Sequence, residues 1–272
     1  MRIPVNRKPL GPLMLVPLCV SLACTLALAQ SSRSLTPLQN AIETQRERLA
    51  SSDVEERRDA VMRLGNLHVA DASRAAVPAL SDVSPIVRAT AAKAILSLDA
   101  NESVSVLLPL LKDKDEFVRR EAAYALGRTR SRSATAALSE RLLTDKEDGV
   151  RAAAAVALGN IGDEAAVVTL ANTLAPEFSE RGSSKRKREQ NVFVLRAAAV
   201  SLGQIGSRAG TPALIAVLTN EKLDSDVRRE AARSLGRIGD PAAAPALRTA
   251  SMAADPFLSQ IAHEALRKLG QT

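Results

Sequence analysis

The sequence predicts an all-α fold, an α-solenoid with a right-handed superhelical twist built from about six to seven stacked helical pairs. Three observations predict it. The first is composition: of 272 residues, 48 are Ala and 36 are Leu, while aromatics make up 2%. Ala and Leu are strong helix formers, and a sandwich or barrel would want β-branched and aromatic strands. Hydrophobic content of 46% excludes general disorder. The second is a period. Leu64-Gly65, Leu126-Gly127, Leu158-Gly159, Leu202-Gly203, Leu235-Gly236 and Leu269-Gly270 recur, with Ile95-Leu96 in the missing slot, at intervals of 31, 31, 32, 44, 33 and 34. A repeat of this length signals a solenoid. The third is a capping residue eleven positions before the reference residue of most units: Asp53, Ser84, Asp115, Asn191 and Asp224.

Residues 1–29 read as a secretory signal peptide. Arg2, Arg7 and Lys8 precede an uncharged run, Leu10 to Ala29, ending in the cleavage pattern Ala27-Leu28-Ala29. Two other readings stay open. The run is about long enough to remain as a membrane anchor, although Pro12 and Pro17 weaken it. Ser21-Leu22-Ala23-Cys24 also resembles a bacterial lipoprotein processing site, which would place a lipid on Cys24. The expected address is the periplasm or the exterior. Cleavage removes both cysteines, Cys19 and Cys24, and with them any disulfide, thiolate metal site or Cys nucleophile. It also lowers the formal charge from +7 to about +4.

Residues 30–52 read as a tether followed by a capping helix. Thr36-Pro37-Leu38-Gln39 has the form of a capping box. Leu38, Ala41, Ile42 and Leu49 then share a face that would cover the open end of the stack. From residue 53 to 270 each unit reads as two helices. In the unit of Leu126, Val118, Ala122, Ala125 and Leu126 form one apolar stripe. Gly162, Gly206 and Gly239 suit a left-handed stop. The Gly after each reference Leu lies inside the last turn, where close helix approach explains it. In the second helix Leu107, Leu138, Leu170, Leu214 and Leu247 lie four residues before Leu111, Leu142, Leu174, Leu218 and a matching slot. Pro78 and Pro109 predict short or kinked second helices in the first two units.

The segments Val118-Arg119-Arg120-Glu121-Ala122-Ala123-Tyr124-Ala125-Leu126-Gly127 and Val227-Arg228-Arg229-Glu230-Ala231-Ala232-Arg233-Ser234-Leu235-Gly236 resemble HEAT repeats, in the short form found in phycobilisome lyases. The resemblance covers roughly residues 53–270. It implies a solenoid and leaves function open, because such repeats serve many purposes.

Polar candidates are few. Arg57, Arg88, Arg119, Arg151 and Arg228 occupy one position in successive units, often preceded by Asp. The expected role is structural, each Arg pairing with a loop Asp of its own or the neighbouring unit. The 44-residue interval holds an insertion at 176–190, where Arg181, Lys185, Arg186, Lys187 and Arg188 are candidates for contacting an acidic protein or anionic lipid head groups. No aromatics interleave those cations, which argues against nucleic acid. His263-Glu264 stands alone at its repeat position, and one pair cannot supply a metal's ligand set. No Walker or dinucleotide fingerprint appears. No cofactor is expected. The expected function is a non-catalytic, monomeric scaffold or adaptor of the periplasm or cell envelope, not an enzyme, with another protein as partner. The alternatives are a chromophore-lyase-like protein, which the resemblance implies, and a membrane-surface adaptor working through the basic loop.

Overall fold

The computed structural model describes residues 35–174 and 191–270. The signal peptide, most of the tether and the loop candidates Arg181 and Lys185 to Arg188 lie outside the described residues. The chain divides into residues 1–40 and residues 41–272. In the first unit, Thr36 and Gln39 cap one another reciprocally, each backbone N–H donating to the other's side-chain oxygen at 2.9 and 3.2 Å.

Helix α1 spans Pro37–Arg48; Ile42 on it and Leu49 just after it join the core of the second unit. Beyond it two rows alternate along the chain. A long row contains α2 (Val54–Asn66), α4 (Pro85–Ala94), α6 (Glu116–Thr129), α8 (Asp148–Ile161), α10 (Val192–Ile205), α12 (Ser225–Ile238) and α14 (Pro256–Lys268). A short row contains α3 (Ala70–Ala76), α5 (Ala100–Leu107), α7 (Thr135–Thr144), α9 (Val167–Leu174), α11 (Thr211–Thr219) and α13 (Ala244–Ser251). The result is six helical pairs closed by α14, with no strand among the described residues.

Each long helix packs on its neighbours in the row and on short-row helices behind it. The core is one continuous cluster, filled by the residues that recur in the sequence. Leu64, Ile95, Leu126, Leu158, Leu202 and Leu235 are fully buried, as are Leu107, Leu138, Leu170, Leu214 and Leu247 of the short row. Burying a Leu side chain contributes roughly 1.5–3 kcal/mol, so the core's stability is spread evenly along the row. Pro78 and Pro109 act as anticipated: α3 and α5 stop after 7 and 8 residues and continue as 3-10 turns at Val77–Ser81 and Leu108–Lys112.

The Gly after the reference Leu marks where long helices touch. A Cβ placed on Gly127 would lie 2.6 Å from the Ala157 Cα, and one on Gly236 would lie 2.9 Å from the Ala265 Cα. Gly65 meets Ala94, while Gly159 and Gly203 meet Ser201 and Ser234. The two serines also bridge the helices. Ser201 Oγ donates to the Ala155 carbonyl at 2.8 Å, and Ser234 Oγ to the Ala199 carbonyl at 2.7 Å. Gly162, Gly206 and Gly239 adopt left-handed φ values of 71°, 75° and 70°, while His68 and Arg130 hold the same position as L-residues at 52° and 54°.

One register differs from expectation. Leu266, not Leu269, is the last reference residue: Asp255 caps α14 eleven positions earlier, and Leu258, Ala262 and Ala265 complete the buried stripe. Leu269-Gly270 closes the helix one turn later. His263 therefore lies three residues before its reference residue, whereas Arg58, Arg120 and Arg229 lie six before theirs. His263 is exposed, its Nδ1 lying 2.9 Å from the Ser259 carbonyl.

Gly127→Ala is expected to destabilise by about 1–3 kcal/mol through overpacking, although Ala is the better helix former by about 1 kcal/mol. Urea denaturation measures this; a stabilised variant would contradict the close contact.

Candidate functional site

The ladder arginines sit at the fourth residue of each long helix, so every side chain starts at the same height on the stack. In the first three units the bond is bidentate and reaches forward to the next loop. Arg57 meets Asp82 at 2.7 and 2.9 Å, Arg88 meets Asp113 at 2.8 Å through both nitrogens, and Arg119 meets Asp145 at 2.8 and 3.0 Å. The third guanidinium nitrogen turns back to loop carbonyls of its own unit: Ser51 and Ser52, Asp82 and Val83, Asp113 and Lys114. Each Asp also accepts the backbone N–H of the residue two positions on, Ser84, Asp115 or Glu147. One rung therefore ties a helix start, its own loop and the next loop together.

The rungs shift the acids. The Arg57 bond holds Asp82 below the ordinary carboxylate range. Burial pushes Asp113 and Asp145 the other way, but the bonds from Arg88 and Arg119, with the backbone N–H groups, still hold both low. The bonds to Asp82 and Asp145 raise Arg57 and Arg119.

The ladder changes form from α8 onward. Arg151 pairs with Asp148 of its own helix and donates to the Asp145 carbonyl at 3.4 Å. Asp148 in turn accepts from Asn191 Nδ2 at 2.7 Å, linking α8 to the cap of α10. Leu195 replaces the Arg in α10. Arg228 departs from the expected role: its Nε donates to the Leu218 carbonyl at 3.1 Å, and Ala253 and Ala254 stand where the Asp would be. The neighbouring Arg229 takes over, meeting Asp255 at 2.9 and 3.0 Å and drawing that carboxyl low.

A second repeating position escaped the sequence reading. The second residue of long-row helices is Ile86 in α4, Phe117 in α6, Phe193 in α10 and Phe257 in α14. Phe193 and Phe257 are 69% and 64% exposed. Guanidiniums lie over two of these rings, Arg120 over Phe117 at 5.1 Å to the centroid and Arg229 over Phe257 at 5.2 Å. Aligning the units on Leu266 rather than Leu269 would have shown the column. A shallow groove of about 480 Å³ crosses the same face between α2, α4 and α6, lined in part by Arg58, Met62, Lys93 and Phe117. Among the described residues no three His, Cys, Asp or Glu side chains converge to hold a metal, and no helix is long and apolar enough to cross a membrane.

Two antiparallel rows in successive pairs, tied by forward-reaching rungs, define an α-solenoid of short helical repeats. The chain belongs to the HEAT-repeat family, whose profile matches residues 42–126, 73–159, 106–181 and 186–267. Among solved structures it is similar to YibA of E. coli, with 21% identity over 93% of this chain and 87% of that one and a TM-score of 0.58. An engineered protein is also similar, with 24% identity over 84% of this chain and 68% of the other and a TM-score of 0.53. The complex of CpcE and CpcF of phycocyanin lyase from Nostoc sp. PCC7120 gives 26% identity over 95% and 92%, with a TM-score of 0.49. No curated protein matches.

Asp145→Asn is expected to cost about 3 kcal/mol, because it leaves the buried Arg119 without its charge partner. The depressed carboxyls add stability that is complete above their ordinary pKa of about 4 and is lost as pH falls through the lowered values. Melting temperature should thus be flat from about pH 7 to 5 and fall below about pH 4, where the gap between wild type and Asp145→Asn closes. A gap unchanged down to acid pH would refute the linkage.

Proposed function

We propose that this protein is a non-catalytic scaffold or adaptor, exported to the periplasm or cell envelope, that binds another protein on the outward face of the long row. The carrying observation is the column of rings at the second position of long-row helices, Phe193 and Phe257 exposed and Phe117 half-buried at its inner edge. Exposed aromatics backed by arginines are enriched where proteins bind proteins, and long repeat surfaces present them without rearrangement. HEAT repeats commonly mediate such contacts. The export address rests on the run Leu10 to Ala29 and its Ala27-Leu28-Ala29 end. The non-catalytic reading is supported by the histidines, His68 and His263, which are both exposed and lie near opposite ends of the repeat array.

A photo-crosslinking residue in place of Phe193, in the producing cell, is expected to yield one adduct of discrete mass. The same group in place of Val168, exposed on the short row, should not. No adduct, or equal adducts from both, would overturn the reading. The exported chain is expected to begin at Gln30.

A further inference from the structure

The residue after the reference position is Gly65, Gly127, Gly159, Gly203 or Gly236 in the other long helices that a further one follows, but in α4 it is Leu96. A leucine cannot make the glycine's close contact. Helix α4 stops at Ala94 after 10 residues, while α2 and α6 on either side of it run to 13 and 14. The groove of about 480 Å³ lies over this short helix. Its lining includes both Phe117 and Arg128 of α6, eleven residues apart, so it runs for about 16 Å along the helix direction.

The lining is apolar and basic. Met62 is 43% exposed, Ile86, Leu96 and Phe117 are half-buried, and Ala89 is buried between them. Arg58, His68, Lys93 and Arg128 also line the groove, and no carboxylate does. Two of these are already engaged by acids outside the lining: Arg58 pairs with Glu55 at 2.9 Å and Lys93 with Glu121 at 2.8 Å. Arg128, in the last turn of α6, meets no carboxylate among the described residues. His68, just past α2 on the opposite wall, is exposed. The open charge thus stands at the end where α2, α4 and α6 present their C-termini.

We propose that this groove docks one amphipathic helix of a partner protein, lying antiparallel to α4 with an acidic residue in its first turn. The proposal rests on the scaffold reading above and names the form of the partner. The axes of α2 and α6, two neighbours apart, are about 16–20 Å from one another, and a helix with its side chains is about 10–12 Å across, so one helix fits between them. With its acid opposite Arg128, the residue four positions on lies level with Met62. Those about eight and eleven positions on lie over Ala89 and between Ile86 and Phe117, an ordinary helical stripe. The acid gains a charge-assisted bond from a guanidinium without an acid of its own. Antiparallel alignment sets the partner's first-turn N–H groups against three helix C-termini, and negative charge is favoured in that first turn.

The test is fluorescence anisotropy of labelled helical peptides with the full chain. The lead peptide carries Glu in its first turn and Leu about four, eight and eleven positions later. Three controls replace the Glu by Gln, move it to the last turn, or replace the three Leu by Gln. Saturable binding is expected for the lead peptide. Glu to Gln in the peptide and Arg128→Ala in the protein should each weaken it roughly tenfold, the size expected for one charge-assisted bond, and the two together no more than either alone. Met62→Glu should abolish binding. Arg237→Ala, the same repeat position in a later unit, should leave it unchanged. Circular dichroism checks the fold of each variant. Binding that survives both Arg128→Ala and Met62→Glu would overturn the groove while leaving a scaffold that binds elsewhere. Equal affinity for the last-turn Glu peptide would overturn the antiparallel seat. Binding of phosphatidylglycerol vesicles, lost in Met62→Glu, without binding of any peptide would overturn the proposal in favour of a membrane surface. Where no peptide binds, the crosslink at Phe193 separates the two readings: a discrete adduct there means that the groove alone is refuted, and no adduct means that the scaffold falls with it.

Discussion

Everything in this fold depends on how closely the long helices approach one another. The contact is a glycine backbone against the Ala or Ser one place before the next reference Leu: Gly127 on Ala157, Gly203 on Ser234, Gly236 on Ala265. A glycine in the last turn of a helix costs about 1 kcal/mol relative to Ala. The contact recovers that through dispersion at short range and, at Ser201 and Ser234, through a hydrogen bond to a helix carbonyl across the gap. Large side chains at these points would separate the rows, and the buried Leu column would lose its neighbours.

Close approach also places the polar parts. With successive helix starts at one height, an Arg at the fourth position can reach the next unit's loop, and Asp82, Asp113 and Asp145 wait there with their backbones already turned. The apolar contact and the rung are therefore coupled along the same edge. On the outward face the same regularity repeats Phe117, Phe193 and Phe257 at one helix position; Phe117 packs partly on the core, while Phe193 and Phe257 stand exposed.

Much of this was legible in the sequence, and the reason is geometric. A buried position in a repeat array tolerates few residue types, so Leu138, Leu170 and Leu214 announce the short row by spacing alone. Pro78 and Pro109 foretell shortened helices because a ring without N–H cannot continue one. The pairing direction was not legible, since an Asp six residues before an Arg has two possible partners and only the helix spacing chooses. The end of the array misled for a related reason: Lys268-Leu269-Gly270 imitates the repeat signature, but Asp255 fixes where α14 begins and so makes Leu266 the buried residue. The substitution of Arg229 for Arg228 follows from Asp255 lying two places later than the acids of the earlier rungs. Phe257 joined Phe117 and Phe193, each nine residues before its reference Leu, only once that register was known.

The rungs have a direction, and direction matters to a chain made from its N-terminus. Arg57, Arg88 and Arg119 each donate to an acid 25 or 26 residues further on. While these three units are being synthesised, the newest long helix carries a guanidinium whose carboxylate has not yet emerged. Over this stretch each added unit quenches the charge left open by the one before and opens its own, so the first half of the array closes like a zip drawn toward the C-terminus, and Arg151 ends the run by pairing with Asp148 of its own helix. An endless array would finish with a dangling cation. Here Arg228 turns back to the Leu218 carbonyl of the preceding short helix instead of waiting for an acid that Ala253 and Ala254 do not supply, and the last helix can be added without leaving an open end.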